Sequence, residues 1–370
     1  MKIVDGVRLA PYTSLGLGGE ARHLAHCTSE EEILEALGWG RSRGLPVHVL
    51  GGGSNTVFDD AGYDGLVLRV ELLGVRVEES NGGALVSAAA GEDWDALVRR
   101  CIEADLSGVE CMSGIPGQVG ATPMQNVGAY GQEVCDTIVE VRAIERDSGE
   151  GRTFANGECG FGYRTSRFKA GDRDRYIITR VTYRLPKSRR PEIRYPELQR
   201  RLEAEGVDVG SLPAGAPAST AVREAVLDLR RGKAMLLESG PDSRSAGSFY
   251  LNPVLTGEQL AEVRERWRER GGSAAEIPVY PAGGGRHKVA AAWLVERSGF
   301  ARGTRRSGAA ISERHALALV NRGGTSSELL ALAGEVAGAV RETFGVRLEP
   351  EPVYVPPHGG PCGGSAEESG

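Results

Sequence analysis

The sequence lacks any apolar run of the roughly 18 residues that a membrane-spanning helix needs, which argues against a helical membrane protein. Its N-terminus has no apolar core of a secretory signal peptide, so we expect a cytoplasmic protein. It also lacks a strong charge of one sign, since 50 acidic residues face 44 basic ones for a net charge of -6. We therefore expect neither a nucleic acid nor a membrane as partner.

Cysteines are few and scattered, with no Cys-x-x-Cys pair and no His–Cys cluster of zinc spacing. This pattern favours reduced thiols and no metal site. The six cysteines are Cys27, Cys101, Cys111, Cys135, Cys159 and Cys362. Glycine is abundant instead, with 53 of 370 residues against an average near ~7%. These glycines are not periodic but cluster in loops, as expected where a backbone closely approaches a bulky ligand.

A chain of this length predicts two or three domains. We place a first domain at 1–71, joined by 340–356, and a second at 72–190. A connector at 191–219 leads to a third domain at 220–338. The tail at 357–370 is rich in Gly, Pro, Ser and Glu, which predicts disorder.

Helix starts are indicated by capping boxes at residues 28–31, 256–259 and 325–328. Residues 46–50 have the pattern of a short buried strand that leads into a glycine turn, and a second strand is predicted near 65–70. We interpret the helix from residue 28 and these two strands as a β-α-β unit.

The glycine turn is the first candidate site. Consecutive backbone N–H groups without side chains form an anion-binding concavity, although a flexible turn remains the alternative. The turn lacks the third glycine of a Gly-x-Gly-x-x-Gly motif and the Gly-Lys-Ser/Thr of a Walker loop. It consists of Gly51, Gly52, Gly53, Ser54 and Asn55.

Two further segments carry unusual chemistry. Residues 113–131 combine many glycines and prolines with Gln125 and Asn126, and aperiodic loops of this length inside a compact unit are usually functional. Residues 161–169 place Arg164 among aromatic side chains, which suits a planar carboxylate or phosphate. A surface strand with solvated charges is the alternative for the second segment.

Ser248 lies in a loop of small residues and suggests a hydrolase nucleophile. That role needs a Gly-x-Ser-x-Gly elbow and a histidine base, but Tyr250 stands where the second glycine belongs. The loop is therefore an ordinary turn, or Ser248 does other chemistry. Glu349 and Glu351 lie between prolines near the end of the chain, and nothing local distinguishes them.

Arg230 and Lys233 end an amphipathic helix. The simpler reading is that they complement the helix macrodipole, and the alternative is that they dock a diphosphate.

Taken in order, these segments resemble the UDP-N-acetylenolpyruvoylglucosamine reductase family, flavoenzymes that make UDP-N-acetylmuramate for peptidoglycan. The resemblance runs from about residue 11 to 355 and matches the subtype with the longer substrate loop. It implies an α+β fold with an FAD-binding module of the vanillyl-alcohol-oxidase type and a third domain that binds the sugar nucleotide. It further implies non-covalent FAD, NADPH and UDP-N-acetylglucosamine enolpyruvate as ligands, and we expect a monomer.

The resemblance also implies a reaction. NADPH gives a hydride to flavin N5, which passes it to C3 of the enolpyruvyl group, and a proton is added at C2. Such chemistry needs an enolate stabiliser and a proton donor. The family pattern gives Ser248 as the donor, with Arg164 and Glu351 polarising the carboxylate.

The remaining roles follow from the same resemblance. The residues expected at the cofactor are Gly51, Gly52, Gly53, Ser54, Asn55, Gly117, Gly120, Ala121, Thr122, Gln125, Asn126, Gly128 and Arg164. Those expected at the substrate are Tyr163, Tyr195, Arg230, Lys233, Asn252, Lys288 and His315.

The sequence departs from the family pattern in a few places. Pro196 follows Tyr195 where glycine is common, and residues 234–244 are longer than in some relatives. Two alternatives stay open. One is an FAD oxidase, which often attaches flavin to histidine, although no histidine lies at 107–136. The other is a flavin-binding relative without activity, against which Arg164, Ser248 and Glu351 argue together.

Overall fold

The structure, a computed structural model, describes residues 1–359 of the chain. Of the predicted tail, residues 360–370 lie outside the described part. The strands in chain order are β1 (Lys2–Arg8), β2 (Glu20–Cys27), β3 (Val47–Leu50), β4 (Thr56–Phe58), β5 (Tyr63–Val70), β6 (Val75–Ser80), β7 (Gly83–Ala89), β8 (Gly128–Ala129), β9 (Gln132–Glu133), β10 (Ile138–Glu145), β11 (Gly151–Ala155), β12 (Tyr176–Pro186), β13 (Val254–Leu255), β14 (Val279–Pro281), β15 (His287–Val289), β16 (Arg305–Arg306), β17 (Ala309–Ile311), β18 (Leu319–Asn321) and β19 (Val353–Val355).

The helices complete an α+β fold, which confirms the predicted class. They are α1 (Glu30–Ser42), α2 (Trp94–Glu103), α3 (Pro196–Ala204), α4 (Ala216–Gly232), α5 (Gly257–Glu269), α6 (Ala291–Arg297) and α7 (Ser326–Phe344). None of the helices in the described part combines the length and apolarity that a bilayer span requires.

The chain forms two compact units. The first unit contains residues 1–7, 22–53 and 64–236, and the second contains 8–21, 54–63 and the chain from 237 onward. This division differs from the predicted domains, because α4 belongs to the first unit, and residues 8–21, 54–63 and 340–356 belong to the second. The physical reason is packing: each of these segments buries its apolar face in the core of the unit that it joins.

In the first unit, α1 precedes β3, and β3 lies parallel to β5 in the sheet β1-β2-β5-β3. The predicted helix and strands are therefore present in the expected order. The cap of α1 lies one residue later than predicted, because Ser29 accepts the N–H of Glu32 at 3.2 Å. The Glu32 carboxylate in turn accepts the N–H of Thr28 at 2.7 Å.

A second sheet of the first unit is antiparallel, in the order β11-β10-β12-β7-β6. Helix α2 packs its apolar face on this sheet, with Trp94 and Val98 fully buried. Trp94 also donates its indole N–H to the carbonyl of Met112 at 3.1 Å, which ties the helix to the loop before residue 113. Helices α3 and α4 pack on one another around Leu198 and Val222. The long loop at 113–131 packs on these cores through Ile115, Met124, Val127 and Tyr130.

In the second unit, α5, α6 and α7 surround one apolar core with three small sheets. The order of two of these sheets is β13-β15-β14 and β16-β17-β18, and the third pairs β4 with β19 in parallel. Both predicted capping boxes are confirmed, at Thr256 for α5 and at Thr325 for α7. Helix α7 ends at Gly345 in the left-handed conformation, where glycine is the favoured residue.

Gly62 allows a close backbone approach in the second unit, and we expect Gly62→Ala to destabilise the protein strongly. An added Cβ would lie 1.9 Å from the carbonyl oxygen of Glu20, at a φ of +88°. We expect a loss of about 3 kcal/mol in the free energy of unfolding, from steric overlap added to backbone strain. Chemical denaturation measures it. Gly82→Ala is the matched control, since Gly82 has a φ of +73° but open space around it, and should lose only about 1 kcal/mol. Equal losses of stability in the two variants would show that the protein relieves the steric overlap at Gly62.

Candidate functional site

Two glycine segments of the first unit meet at backbone contact. Strand β3 leads directly into Gly51 and Gly52, and an added Cβ on Gly52 would lie 3.0 Å from the Cα of Gly117. An added Cβ on Gly51 would lie 3.1 Å from Oε1 of Gln118. Gly53 has a φ of +64°, in the left-handed region that favours glycine. Side chains at these positions would fill the space that the two backbones share.

The segment at Gly117 is fixed by residues 90–94. Gly117 accepts the N–H of Trp94 at 3.1 Å, and Gly120 donates its N–H to Ala90 at 2.9 Å. An added Cβ on Gly120 would lie 2.6 Å from the Cβ of Ala90. The glycine at 120 is therefore required by packing within the protein. The neighbouring Ala121 is exposed.

The segment fits a polar ligand with hydroxyl or N–H donors. Oε1 of Gln118 is buried and has no hydrogen-bond partner among the described residues. Buried polar atoms are nearly always paired, so an unpaired acceptor beside two glycine segments suits a bound group that donates to it. FAD carries ribityl hydroxyls and a diphosphate that match such an acceptor and such a backbone cradle. The sequence reasoning did not single out Gln118 from its loop.

Two side chains that we expected at the cofactor form hydrogen bonds within the protein instead. The buried hydroxyl of Thr122 donates to the carbonyl of Val119 at 2.8 Å and lies 2.8 Å from the hydroxyl of Tyr183. The amide of Asn126 donates to Oε2 of Glu133 at 2.7 Å and to the carbonyl of Gly162 at 3.1 Å.

Asn126 is 1% exposed and has a φ of +47°. Its side chain therefore shapes the loop, and a ligand contact at this position would come from the backbone. Gln125 is half-buried next to it, and Gly128 is buried.

Arg164 occupies a tight hairpin beside the same loop. Gly162 and Thr165 exchange both backbone hydrogen bonds, at 3.0 and 3.2 Å, which places Arg164 in the turn at a φ of +52°. Its guanidinium donates to the carbonyls of Asn126, at 3.2 Å, and Gly128. It also lies 5.7 Å from the centre of the Tyr163 ring. The structure thus brings 126–128 and 162–165 together and fixes the arginine head between them.

A cationic cluster forms where α3 and α4 approach Tyr130. Lys233 donates to Oε2 of Glu197 at 2.6 Å, and its Nζ lies 5.7 Å from the centre of the Tyr130 ring. Tyr195, which precedes α3, packs edge-on against Tyr130 with ring centres 5.5 Å apart. The structure therefore brings Tyr195 and Lys233 to the same aromatic ring, that of Tyr130. The sequence reasoning missed Tyr130 and Glu197, because nothing local links residues so far apart in the chain.

Arg230 is the second cation of this cluster and is only 8% exposed. It donates from Nη2 to the carbonyl of Met235 at 3.0 Å, while its buried Nε has no partner among the described residues. Burial lowers the pKa of Arg230, and burial raises the pKa of Tyr130. A buried arginine with an unused N–H has a donor left for an anionic ligand.

The second unit brings the segments of Ser248 and Glu351 together. Phe249 accepts the N–H of Glu351 at 2.8 Å, and Leu251 donates to Glu349 at 3.0 Å. Residues 249–251 thus pair antiparallel with 349–351. Ser248 immediately precedes this pairing, after Gly247 at a φ of +72°. Two candidate residues about a hundred positions apart in sequence become neighbours through main-chain hydrogen bonds.

Asn55 and Ser54 also belong to the second unit. The amide of Asn55 donates to the carbonyl of Glu351 at 3.1 Å, and its own carbonyl accepts the N–H of Val353 at 2.9 Å. Ser54 accepts the hydroxyl of Ser14 at 3.3 Å. Asn55 was expected at the diphosphate, but in the structure its amide holds the segment that carries Glu351.

The remaining expected residues also belong to the second unit. Asn252 accepts the N–H of Ala291 at 2.9 Å, at the start of α6. Lys288 lies in β15 opposite Val254 of β13, so it is close in register to Asn252. His315 approaches Ser248, with 3.3 Å between its Nε2 and the serine Oγ.

A buried ion pair supports the loop that carries His315. Asp242 is 6% exposed and pairs with Arg322. Its other oxygen accepts the hydroxyl of Ser312 at 2.7 Å. The sequence reasoning missed all three residues, because each is an ordinary polar residue in a loop or at a strand end.

Two family models match separate regions of the chain. The sequence model of the UDP-N-acetylenolpyruvoylglucosamine reductase C-terminal domain matches residues 240–355, and that of an FAD binding domain matches residues 21–154. The UDP-N-acetylenolpyruvoylglucosamine reductase of Streptomyces coelicolor is 47% identical over 351 residues, 94% of this chain and 88% of that protein. The chain belongs to this family.

Other relatives agree. The reductase of Thermobifida fusca is 46% identical over 354 residues, 94% of this chain and 97% of that protein. The crystal structure of the Thermus caldophilus reductase is 25% identical, with a TM-score of 0.60 over 96% of this chain and 98% of that one. The resemblance inferred from the motifs is thus confirmed, and the protein is an oxidoreductase with an FAD-binding domain.

We expect Gly52→Ala to lower the FAD content of the purified protein, because the added methyl group would lie against Gly117 in the shared backbone space. The expected effect is a rise of about tenfold in the dissociation constant, measured by flavin fluorescence after reconstitution of the apoprotein. Gly157→Ala is the matched control, since Gly157 is exposed and an added Cβ there meets nothing within 4 Å. Unchanged affinity in Gly52→Ala would place the flavin away from this turn.

Proposed function

We propose that the protein reduces UDP-N-acetylglucosamine enolpyruvate to UDP-N-acetylmuramate, with NADPH as the electron donor. The observation that supports this most directly is the pairing of 249–251 with 349–351, which brings the segments that carry Ser248 and Glu351 together. A flavin-binding protein without activity would need neither a proton donor nor an acid. Membership of the reductase family supports the same substrate.

The net reaction adds a hydride at C3 and a proton at C2 of the enolpyruvyl group. When bound, FAD would supply the hydride chemistry between NADPH and C3 of the enolpyruvyl group. The protein side chains must then stabilise the charge that spreads into the carboxylate, and supply the proton. We assign the proton at C2 to the hydroxyl of Ser248.

Arg164 and Glu351 are the proposed stabilisers. Arginine is always cationic and offers five N–H donors, of which two contact main-chain carbonyls of the loop. The planar guanidinium matches a carboxylate in bidentate geometry. A protonated Glu351 donates one further hydrogen bond to the developing enolate. Its main chain is held on both sides, by Phe249 and by Asn55, so its side chain starts from a fixed position.

For the cofactor, we propose that the glycine turn and the segment from Gly117 to Gly120 hold FAD through their backbones. Gln118 provides the acceptor, since its carbonyl oxygen is buried without a partner in the described part of the chain. Thr122 and Asn126 act by fixing the loop, because their side chains are satisfied within the protein.

For the substrate, we propose that Arg230, Lys233 and Tyr195 receive the nucleotide diphosphate. Lys233 is paired with Glu197 in the structure, and a phosphate would take the place of that carboxylate. Such an exchange of one anion for another keeps the lysine charge balanced throughout. Asn252 and Lys288 are proposed as further substrate contacts in the second unit.

The proposed reaction is tested with the purified protein. It should show the absorption of a non-covalent flavin and should oxidise NADPH rapidly only when UDP-N-acetylglucosamine enolpyruvate is present. UDP-N-acetylglucosamine without the enolpyruvyl group is the control substrate and should not raise the rate. A colourless protein, or oxidation of NADPH indifferent to the enolpyruvyl substrate, would contradict the proposal.

Ser248→Ala should separate the two half-reactions. Reduction of the flavin by NADPH should stay near the wild-type rate, because it needs no proton at C2. Reoxidation by the enolpyruvyl substrate should slow by about 10³-fold or more, since a general acid is lost. Stopped-flow flavin absorbance measures both. Ser248→Cys should keep partial activity because a thiol also donates a proton, and equal damage to both half-reactions would argue against the assigned role.

A further inference from the structure

His315 lies within hydrogen-bond distance of the serine that we assign as proton donor. The distance from its Nε2 to Oγ of Ser248 is 3.3 Å, and both side chains are half-buried in the second unit. The family resemblance predicts a substrate contact for His315. Its position in the structure raises a different role, because the imidazole faces the serine hydroxyl itself.

The loop that carries His315 is held by a dedicated set of hydrogen bonds. The hydroxyl of Ser312, which is fully buried, accepts the N–H groups of Arg314 at 3.1 Å and of His315 at 3.3 Å. It donates in turn to Asp242 at 2.7 Å. The same carboxylate oxygen accepts the N–H of Glu313 at 3.2 Å. One serine and one aspartate thus accept hydrogen bonds from three consecutive main-chain N–H groups.

Two further contacts make this support stiff. Ala318 donates to the carbonyl of His315 at 3.1 Å and accepts the N–H of Ser312 at 2.8 Å, so the loop closes on itself. Arg322, which is 11% exposed as a side chain, pairs with the second oxygen of Asp242. A buried charge pair of this kind is costly to break by removing one partner. The main chain of His315 therefore has little freedom to move away from Ser248.

We propose that His315 is a proton relay that restores the proton of Ser248, and that Asp242 and Ser312 are positioning residues for it. This inference rests on the proposed function, in which Ser248 protonates C2. The balance of the step is simple. The C2–H bond forms as the Oγ–H bond of Ser248 breaks, and the Oγ–H bond is remade as the Nε2–H bond of the imidazolium breaks. The neutral imidazole then regains a proton from water.

The chemistry explains why such a relay is needed. An aliphatic hydroxyl is a very weak acid, so a serine that gives up its proton alone would leave a high-energy alkoxide. Histidine is the side chain whose unperturbed pKa allows it to give and regain a proton near neutral pH. A base or acid within one hydrogen bond of a serine hydroxyl is the usual means of making that hydroxyl reactive. Here the same geometry would make serine a better acid.

Substitution of His315 separates the relay from a substrate contact. His315→Gln keeps a polar group near the serine but cannot relay a proton, and His315→Ala removes it altogether. For a relay, both variants should slow reoxidation of the reduced flavin by the enolpyruvyl substrate by about 30-fold or more, with little change in KM. Flavin reduction by NADPH should be unchanged. Added imidazole should restore part of the rate in His315→Ala, and none in Ser248→Ala.

His358→Asn is the matched control, since His358 is an exposed histidine of the same unit, and it should behave as wild type. A rise in KM with an unchanged turnover in His315→Gln and His315→Ala, without imidazole rescue, would overturn the relay in favour of a substrate contact. If Ser248→Ala itself left reoxidation unimpaired, the proposed role of Ser248 would fail instead, and the two failures are thus distinguishable.

A measurement without turnover tests the contact directly. The imidazole resonances of His315 are identified as those missing from the NMR spectrum of His315→Gln. In the flavin-bound protein, Ser248→Ala should shift these resonances and change the titration of His315, while the other histidines stay the same. An unchanged His315 resonance in Ser248→Ala would show that the two side chains do not interact, and would overturn the proposal.

The positioning residues are tested by a double-mutant cycle. Ser312→Ala should slow reoxidation by about tenfold in the wild-type background and by much less in His315→Ala, because it acts through the imidazole. Equal effects in both backgrounds would contradict a positioning role. Asp242→Asn leaves Arg322 buried without its charge partner and is expected to lower stability, so the milder Ser312→Ala carries the test.

Discussion

The antiparallel pairing of 249–251 with 349–351 is the interaction on which the candidate chemistry of the second unit depends. These main-chain hydrogen bonds place Ser248 beside the segment of Glu351. The amide of Asn55 holds the segment of Glu351 from the other side. Directly after these residues, β4 and β19 pair in parallel. Backbone hydrogen bonds determine position far more narrowly than side-chain packing does, because each one constrains two main chains at once.

In the first unit, much polar chemistry serves to shape the loop that we assign to the cofactor. Asn126 and Thr122 have satisfied side chains, and Arg164 is anchored on two carbonyl oxygens. This is expected of a loop whose buried polar groups must all find partners. The exception is Oε1 of Gln118, which is buried without a partner among the described residues. Buried polar atoms that have no partner within the protein are therefore better indicators of a ligand than the polar residues of the motif.

The many glycines of the chain have more than one cause. At Gly52 an added Cβ would meet another glycine segment, which fits a backbone cradle. At Gly120 and Gly62 it would overlap Ala90 and the carbonyl of Glu20, so these glycines are needed for the fold itself. Composition shows that backbones approach closely, but it does not distinguish an approach to a ligand from an approach to the protein.

The sequence by itself indicated the α+β class, the reductase family and the FAD-binding domain through its resemblance to that family. It also determined where α5 and α7 begin, because capping boxes are local signals. It also identified Ser248 as something other than a nucleophile, from the absence of a glycine elbow. The tertiary structure decided that α4 packs with α3 in the first unit, that Lys233 meets Glu197 and Tyr130, and that Asp242 supports the loop of His315. These contacts join residues tens to hundreds of positions apart. They follow from burial of apolar faces and pairing of buried polar groups, and no local pattern in a single sequence records which distant partner a residue will meet.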